Sequence, residues 1–555
     1  MKPGNKFLLA TLLVPLLATP AGAQESHQHQ HEATEQLGQV NFRVSCNPAA
    51  QKQFNRAAAL LHSFWYDSAE QAFAEITVTD PRCAMGYWGI AMSNFHPIWE
   101  PPSAAELKRG QAAIEKAKAA GAKTQRERDY IAALEVFYKD YDTLDHRTRA
   151  LAYERAMEQV YLRYPEDREA AIFYALILIG NGMKDNNKSY TKEKQAAVIL
   201  NKILPEEPNH PGIAHYLIHS YDYPQLAHLA LPAAEQYAKI APSAPHALHM
   251  PSHIFTRLGL WQQSIESNIA SATAARNVVA KTHPGAASQN QLHAMDYLTY
   301  AYLQGAQDQK AKGVVDEAGN VSRVDQEVFQ AAYAFAAIPA RYALERRRWD
   351  EAAGLKLHPA SFPWEQFRFA EAITYFARAV GAARSGNTAS ARQEVEKLSS
   401  IQKALAVVKK GYDWATQVEI ERRAASAWLA HAEGKNEEAL ALMRSAAELE
   451  DSTDKHPVTP GAIIPAREML GDLLLELNQP AQAVREFELS LQNAPKRFNS
   501  HYGLARAAAA SGDEKKARAH YAELVALCNN ADGDRPELQK AKEFLAERQV
   551  KQSEK

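Results

Sequence analysis

The stretch MLGDLLLELNQPAQAVREF (residues 469–487) is matched 34 residues later by GLARAAAASGDEKKARAHY (residues 503–521). Residues of similar size recur at equivalent positions: Leu470 and Leu504, Gly471 and Ala505, Ala483 and Ala517, and Phe487 and Tyr521. Small residues recur where two helices must approach closely, and large ones recur where a gap must be filled. Pro495 ends the first unit, because proline cannot continue a helix. The period therefore predicts a protein built from repeated helix pairs.

This pattern resembles the tetratricopeptide repeat, a helix–turn–helix unit of about 34 residues. The match is close over residues 464–531 and looser elsewhere, as at Ala69, Phe73 and Pro81. Strand-like runs are nearly absent. The resemblance implies an all-α fold, a tetratricopeptide-type α-solenoid of stacked antiparallel helix pairs. It also implies that a protein or peptide binds in the concave groove, because most such proteins are scaffolds.

The N-terminus predicts export. Lys2 and Lys6 precede a short apolar run at residues 7–17, and small residues follow at 21–23. This order is typical of a secretory signal peptide, here residues 1–23, and the run is too short to span a membrane. We therefore expect a periplasmic or secreted protein without a membrane span.

Composition divides the rest of the chain into helical parts and polar segments. Residues 24–40 predict a disordered leader that contains His27, His29 and His31, and residues 306–325 and 451–461 predict polar insertions between helices. The expected helical parts are N-terminal repeats at 41–205, a histidine-rich repeat segment at 206–305, further repeats at 326–450, the C-terminal repeats at 462–531, and a terminal helix and tail at 532–555.

Charge and motifs exclude several classes of protein. The formal net charge of −2 leaves no basic field for nucleic acid. The phosphate-binding loop and the dinucleotide fingerprint are absent, so we expect no nucleotide. C-x-x-C-H is also absent, so we expect no haem. Of three cysteines, Cys46 and Cys83 flank the first helix pair and are either bridged or free, while Cys528 is left over.

Histidines are concentrated in PGIAHYLIHSYD (residues 211–222) and PHALHMPSHIFTRLGLW (residues 245–261). Within each segment the spacing predicts one shared helix face, with intervals of four in the first and of three and four in the second. The next helix offers another histidine. Together they are the candidate metal ligands: His215, His219, His246, His249, His253 and His293.

The spacing between the two segments matches the repeat. His215 and His249 lie 34 residues apart, and so do His219 and His253. Residues one repeat apart occupy equivalent points on adjacent helices, so we expect two rungs of imidazoles on neighbouring helices, facing the groove. Helices packed at about 8–10 Å allow inward side chains to share one ion. The sequence therefore predicts a transition-metal site in the groove.

Converging neutral imidazoles suit copper, zinc or iron. The alternating histidines of the leader favour copper, since such a segment chelates copper or zinc without folding. Asp222 and Asp296 are expected as further ligands or as acceptors that orient a histidine. If the solenoid coils tightly, His62, His96 and Glu100 would also face the site.

Histidines on a helix also have roles that involve no metal. A single helical histidine is usually solvated or packed in a core, and groove histidines also bind peptide carboxylates. Five imidazoles buried without partners would nevertheless be costly, because each carries two polar nitrogens. No H-E-x-x-H or G-x-S-x-G motif is present, so catalytic residues are unknown and any chemistry would come from the metal. Three hypotheses remain: a metal-dependent oxidoreductase acting on a small organic substrate, a metal carrier without turnover, and a protein-interaction scaffold.

Overall fold

The structure is a computed structural model whose described part is helical. It describes residues 1, 35–98, 101–185, 188–408 and 411–553, the last six by their backbone alone. The only β contact among these residues is an isolated parallel bridge between Ala287 and Val324. The expected all-α class is therefore confirmed. The expected signal peptide beyond its first residue, the leader histidines at 27, 29 and 31, and Glu100 lie outside the described residues.

Twenty-six α-helices follow one another along the described chain. The first nine are α1 (Pro48–His62), α2 (Tyr66–Thr79), α3 (Ala84–Ser93), α4 (Ala104–Ala120), α5 (Gln125–Tyr138), α6 (His146–Arg163), α7 (Arg168–Gly182), α8 (Thr191–Ile203) and α9 (Pro211–Tyr221). The next eight are α10 (Leu231–Ile240), α11 (Pro245–His249), α12 (Pro251–Arg257), α13 (Trp261–Thr282), α14 (Gln289–Gln304), α15 (Asp308–Gly319), α16 (Phe329–Glu345) and α17 (Trp349–Ala353). The last nine are α18 (Arg368–Arg384), α19 (Thr388–Ala406), α20 (Trp414–Ala432), α21 (Asn436–Asp451), α22 (Ala466–Glu476), α23 (Pro480–Asn493), α24 (Phe498–Ala510), α25 (Glu514–Leu527) and α26 (Pro536–Ser553). Short 3₁₀ turns lie at Ala227–Ala230 and Trp364–Gln366.

By the criteria for spanning length and hydropathy, none of the described helices could cross a bilayer.

The helices stack as pairs. Most pack on their successors in the chain, and the first helices of successive pairs also contact one another, as α14, α16, α18 and α20 do. These two sets of contacts define an α-solenoid, in which each pair covers the apolar face of the next.

Small residues and rings make the close contacts between helices. A Cβ atom built on Gly471 would lie 2.7 Å from the Phe487 ring, and one on Gly503 would lie 2.2 Å from it. The ring therefore fills the space between α22 and α24, and it requires glycine on both sides. Gly89 meets Phe73 in the same way, at 2.2 Å. The tetratricopeptide-type packing expected from the repeat is thus confirmed in the chain's own geometry.

Two segments differ from the sequence-based expectation. Residues 36–40, assigned to the disordered leader, are ordered: Leu37 and Val40 are buried, and the Gln39 N–H donates to the Asn209 carbonyl at 2.9 Å. Residues 306–325, expected as a polar insertion, contain α15. Its apolar residues at 311, 314 and 318 lie on one helix face and are buried. The other residues of the segment are mostly polar, so its composition did not indicate a packed helix.

Two hydrophobic cores meet near the middle of the chain. One runs from Leu37 to Phe255 and the other from Trp261 to Ala507. The C-terminal pairs return to this junction, where the Trp261 indole N–H donates to the Lys496 carbonyl at 2.9 Å. Arg497, fully buried, binds Glu345 at 2.7 Å and Glu468 at 2.9 Å. The junction is where the histidines converge.

Cysteines 46 and 83 are joined by a disulfide that links the start of α1 to the start of α3. Cys528 is free and buried. The bridge closes a loop around the first helix pair, which restricts the unfolded chain.

Candidate metal centre

Four helices carry the six candidate histidines. His215 and His219 lie on α9, and His293 lies on α14; α11 and α12 carry the other three. α11 and α12 are separate helices because Pro251 has no N–H to donate to the Ala247 carbonyl. All six side chains are buried. They form two groups whose ligand nitrogens lie within 4.8 Å of one another: the first trio is His215, His219 and His246, and the second trio is His249, His253 and His293.

The first trio is arranged around His215. Its Nδ1–H donates to the His62 carbonyl at 2.7 Å, which leaves a lone pair on Nε2. Both His219 Nε2 and His246 Nε2 lie 3.1 Å from that atom. The lone pair on this nitrogen cannot accept a hydrogen bond from both neighbours at once. Three ring nitrogens therefore converge on one position where not all of them can be hydrogen-bonded. A cation at that position would accept all three lone pairs.

The second trio has the clearer tautomers. His249 Nδ1 lies 2.6 Å from Asn268 Oδ1, and the Asn268 amide group is oriented by donating to the Ser264 carbonyl at 2.7 Å. His253 Nδ1 lies 3.0 Å from a carboxylate oxygen of Asp222. Each imidazole therefore carries its proton on Nδ1 and a lone pair on Nε2.

These two lone pairs face each other. His249 Nε2 and His253 Nε2 are 3.0 Å apart, and neither has a proton to share in its neutral form. In a tetrahedral site with metal–nitrogen bonds of about 2.0–2.1 Å, ligand nitrogens are about 3.3 Å apart. The observed separation is close to that value. His293 completes the trio, with its ring centroid 4.2 Å from that of His249.

Burial keeps the imidazoles in the form that binds metals. It lowers the pKa of His215 to about 3, and it lowers the pKa of His219, His246, His249 and His293 well below the usual value, with neighbouring histidines adding to the effect. The neutral imidazole, not the imidazolium, is a ligand. The centre is therefore a set of six available nitrogen donors.

The two trios are neighbours. Ring centroids of His219 and His253 are 6.3 Å apart, as are those of His246 and His249. Between them lies a cavity of about 10 Å³, lined by two imidazoles of each trio and by Met250, Asn290, Gln330, Pro457 and Val458. This volume is about that of one water-sized sphere. The two trios are therefore adjacent sets of nitrogen donors.

Residues 453–465, here called the covering segment, border the centre. Pro457 and Val458 line the small cavity, and the Tyr297 hydroxyl donates to the Thr459 carbonyl at 3.1 Å. Lys455 reaches Asp222 at 3.3 Å, where Arg257 also binds at 2.8 Å. These cations hold the pKa of the Asp222 carboxyl well below its usual range despite burial, so Asp222 stays ionised and orients His253.

A larger cavity leads to the first trio. It has a volume of about 310 Å³, and His219, Asp222, Arg257 and Lys455 are among its lining residues. Three tyrosine rings also line it: Tyr190, Tyr223 and Tyr412. This size suits a small organic molecule.

The structure differs from several sequence-based assignments. The sequence predicted one site shared by the histidines of both segments, whereas the structure divides them into two trios, with His215 and His219 in the first and His249 and His253 in the second. The Asp296 carboxylate binds the Arg341 guanidinium at 3.0 Å and not a histidine. Arg341 is buried and requires a counter-ion, which Asp296 supplies.

His62 and His96 do not join the trios. The ring of His62 is held by the Tyr216 hydroxyl at 2.9 Å and by Glu169 at 3.0 Å. Glu169 also binds His210 at 3.1 Å, so these residues form a separate buried group in which both histidine–carboxylate contacts are hydrogen bonds. His96 lies against the Ser93 carbonyl, at 3.0 Å. His62 supports the centre only through its backbone carbonyl.

Four residues were not predicted from the sequence, two beside the trios and two in the separate group with His62. They are Asn268, Glu169, His210 and Lys455. Asn268 lies within the long helix α13, where one asparagine carries no recognisable signal. His210 precedes the histidine-rich helix directly, and only its position beside that helix could have indicated it.

Comparisons with known proteins return no family model and no curated protein that matches this chain. Solved structures with similar helix arrays include yeast Tom70, 12% identical over 91% of this chain and 96% of that chain, with a TM-score of 0.35. The Cut9–Hcn1 hetero-tetramer of the APC/C is 11% identical over 89% and 95%, with a TM-score of 0.30. A human IFIT1 dimer with PPP-AAAA is 11% identical over 85% and 89%, with a TM-score of 0.37. At these scores the similarities say nothing about function, and the tetratricopeptide-type fold rests on the chain's own stacked helix pairs.

Proposed function

We propose that this chain is an exported metalloprotein whose two histidine trios hold a pair of metal ions, copper in preference to zinc or iron, and that the pair oxidises a small organic substrate. One observation carries the proposal. His249 and His253 commit their Nδ1 protons to Asn268 and Asp222, so that two Nε2 lone pairs face each other at 3.0 Å. A bound cation would turn this repulsive arrangement into two coordinate bonds.

The choice of copper follows from the donor set. Both trios consist of imidazoles, without a carboxylate among their ligand atoms. Imidazole suits copper, zinc and iron, whereas carboxylates are preferred by harder ions, and copper(II) binds nitrogen sites most tightly of the divalent ions. Neutral ligands do not balance the positive charge of a bound ion, and an unbalanced charge in a buried site is costly. The lower charge of a monovalent ion is therefore favoured, and copper has a monovalent state whereas zinc does not.

The surroundings support oxidation of a small molecule. Bound as a pair, copper would supply one-electron redox chemistry at each ion, with dioxygen as the terminal oxidant. The chain supplies the 310 Å³ cavity that reaches His219 and Asp222, and its tyrosine rings suit a planar organic substrate. The covering segment limits access of bulk water to the trios, and this protects the ligands from competing solvent.

Export is part of the same proposal. The leader-like sequence at residues 1–23 and the disulfide between Cys46 and Cys83 both suit an oxidising compartment. We expect the mature protein in the periplasm or medium, which fractionation of cells expressing the full chain would test.

The experiment compares metal content with oxygen consumption. The purified chain is loaded separately with copper, zinc or iron, and dioxygen uptake is followed with a panel of phenols, catechols and aromatic amines. We expect two copper ions per chain and uptake with at least one substrate class. His215→Gln and His249→Gln should each lose one ion and the uptake, whereas the exposed His228→Gln, a matched control, should keep both.

The alternatives give different results. Two tightly held copper ions without uptake on any substrate would favour a metal carrier. A chain that binds no transition metal when folded would overturn the proposal. Peptide binding by the histidines has little support, because His249 and His253 are only 2% and 4% exposed.

A further inference from the structure

A second large cavity, of about 390 Å³, lies beside the covering segment. Aromatic side chains make up much of its wall: Tyr300, Tyr333, Phe369, Phe376, Tyr412 and Trp414. Phe369 and Trp414 are stacked with ring centroids 4.3 Å apart, and His456 stacks on Trp414 at 5.2 Å. The cavity therefore offers stacked aromatic rings in a space of a size that suits a small molecule.

Two carboxyl groups line the same cavity. Glu450 accepts a hydrogen bond from the Ala466 N–H at 2.8 Å. Glu421 has neither a hydrogen bond nor an ion pair among the described residues. Burial raises the pKa of Glu421 to about 8, with Glu450 adding to the effect, and burial raises the pKa of Glu450 to about 7. Neither carboxyl group is thus paired directly with a positive charge.

The cations of the lining are already engaged. Arg467 binds Asp451 at 2.8 Å and Glu486 at 2.5 Å. Lys188 binds Asp454 at 2.6 Å. The two remaining cations, Arg257 and Lys455, both bind Asp222. The acidic groups that the cavity leaves without a positively charged partner are therefore the two glutamates.

We propose that this cavity binds a protonated amine with an apolar body. The ammonium group would lie against Glu421 and Glu450, where charge-assisted hydrogen bonds form, and the body would lie among the rings, where a cation–π contribution adds to burial. The raised pKa values mean that these two carboxyl groups bind protons near pH 7, and a bound ammonium group would replace such a proton and stabilise the carboxylate form. An anion would find no positively charged partner beside them, and an uncharged molecule would leave Glu421 without one. None of the six trio histidines lines this cavity, although Arg257, Tyr412 and Lys455 line both it and the 310 Å³ cavity. The two cavities are neighbours, and binding of an amine here requires no bound metal.

The test uses three probes that share one ring and chain: 2-phenylethylamine, 2-phenylethanol and phenylacetate. Their binding to the full chain is measured by calorimetry at pH 7, with and without copper. We expect the amine to bind at least about tenfold more tightly than the alcohol, a difference that one charge-assisted hydrogen bond can supply. Phenylacetate should not bind. Equal affinity for amine and alcohol would overturn the inference.

Variants locate the site. Glu421→Gln should weaken amine binding about tenfold and leave alcohol binding unchanged, and Glu450→Gln should act in the same direction. Glu437→Gln, at an exposed position of α21, is the matched control and should change nothing. Trp414→Leu should weaken both ligands. Unchanged amine affinity in a folded Glu421→Gln variant would refute the assignment, whatever the metal content of the protein.

Discussion

Replacing Asn268 with leucine should weaken one metal position and spare the other. The Asn268 carbonyl oxygen accepts the Nδ1 proton of His249 at 2.6 Å, and leucine has nearly the same shape without an acceptor. His249 then either keeps its proton on Nδ1 with no partner or moves it to Nε2, where it blocks the lone pair. Both results weaken the second trio as a ligand set, while the first trio has no contact with this side chain.

The magnitude follows from the lost hydrogen bond. A buried donor left without a partner costs about 1–3 kcal/mol. Loss of a residue that orients a metal-bound histidine lowers affinity about 10- to 100-fold. A tenfold change corresponds to about 1.4 kcal/mol, so the two ranges agree. Asn277→Leu makes the same change at an exposed position of α13 and should retain the affinity of the wild type.

The assay is a copper titration against a chelator of known affinity, read as ions bound per chain. We expect two ions in the wild type and in Asn277→Leu. In Asn268→Leu one ion should be held as before and the other about 10- to 100-fold more weakly. Circular dichroism of each variant controls for folding. Two wild-type affinities in a natively folded Asn268→Leu protein would refute the role given to His249.

Three further predictions concern stability. Gly503→Ala places a Cβ atom 2.2 Å from the Phe487 ring and should destabilise the fold by about 1–3 kcal/mol in urea unfolding. The control is Gly313→Ala on an exposed face of α15, where nothing lies within 4 Å of the added Cβ atom, and it should stabilise the fold by about 0.5–1 kcal/mol. Equal effects of the two substitutions would contradict the packing. Removing the bridge with Cys46→Ser and Cys83→Ser, which are 37 residues apart, should cost about 4 kcal/mol in the same measurement, and no change would mean that the bridge does not form. Burial raises the pKa of Glu421 to about 8, from a value of about 4.3 in the unfolded chain, so the folded chain holds this proton more tightly. The contribution of this proton to the free energy of unfolding is complete below about pH 4 and is lost as pH rises towards 8. Glu421→Gln should therefore flatten the fall in melting temperature between pH 5 and pH 8, and an unchanged slope would contradict the assignment.

The sequence predicted the fold because the repeat reflects a local steric requirement. Phe487 needs a small residue on each neighbouring helix, and that requirement recurs every 34 residues. Helix α15 was not predicted because its buried face has only three apolar residues, at 311, 314 and 318, in a segment that is mostly polar. Residues 36–40 were misjudged for a different reason: their partners, such as Asn209, are distant in sequence.

The sequence also indicated all six histidines, but not how they divide. Spacing placed His246, His249 and His253 on one face of one helix. In the structure His246 and His249 both lie on α11 but belong to different trios, whereas His249 and His253 share a trio across the break at Pro251. The division depends on which neighbouring helix each imidazole meets, α9 or α14, and the spacing along the chain does not record that.

Roles that depend on distant partners were not predictable. Asp296 is three residues from His293, yet it forms an ion pair with the buried Arg341 of another helix pair. Asn268 contacts His249 only because α13 folds back on α11. Neither choice of partner follows from local spacing, since both are set by how helix pairs stack.

The most direct test of the two-ion centre is anomalous diffraction from crystals of the copper-loaded protein, collected on both sides of the copper absorption edge. We expect two anomalous peaks per chain. One should be surrounded by His215, His219 and His246, and the other by His249, His253 and His293. A loaded protein with no peak at either trio, or with copper bound only elsewhere, would contradict the proposed centre.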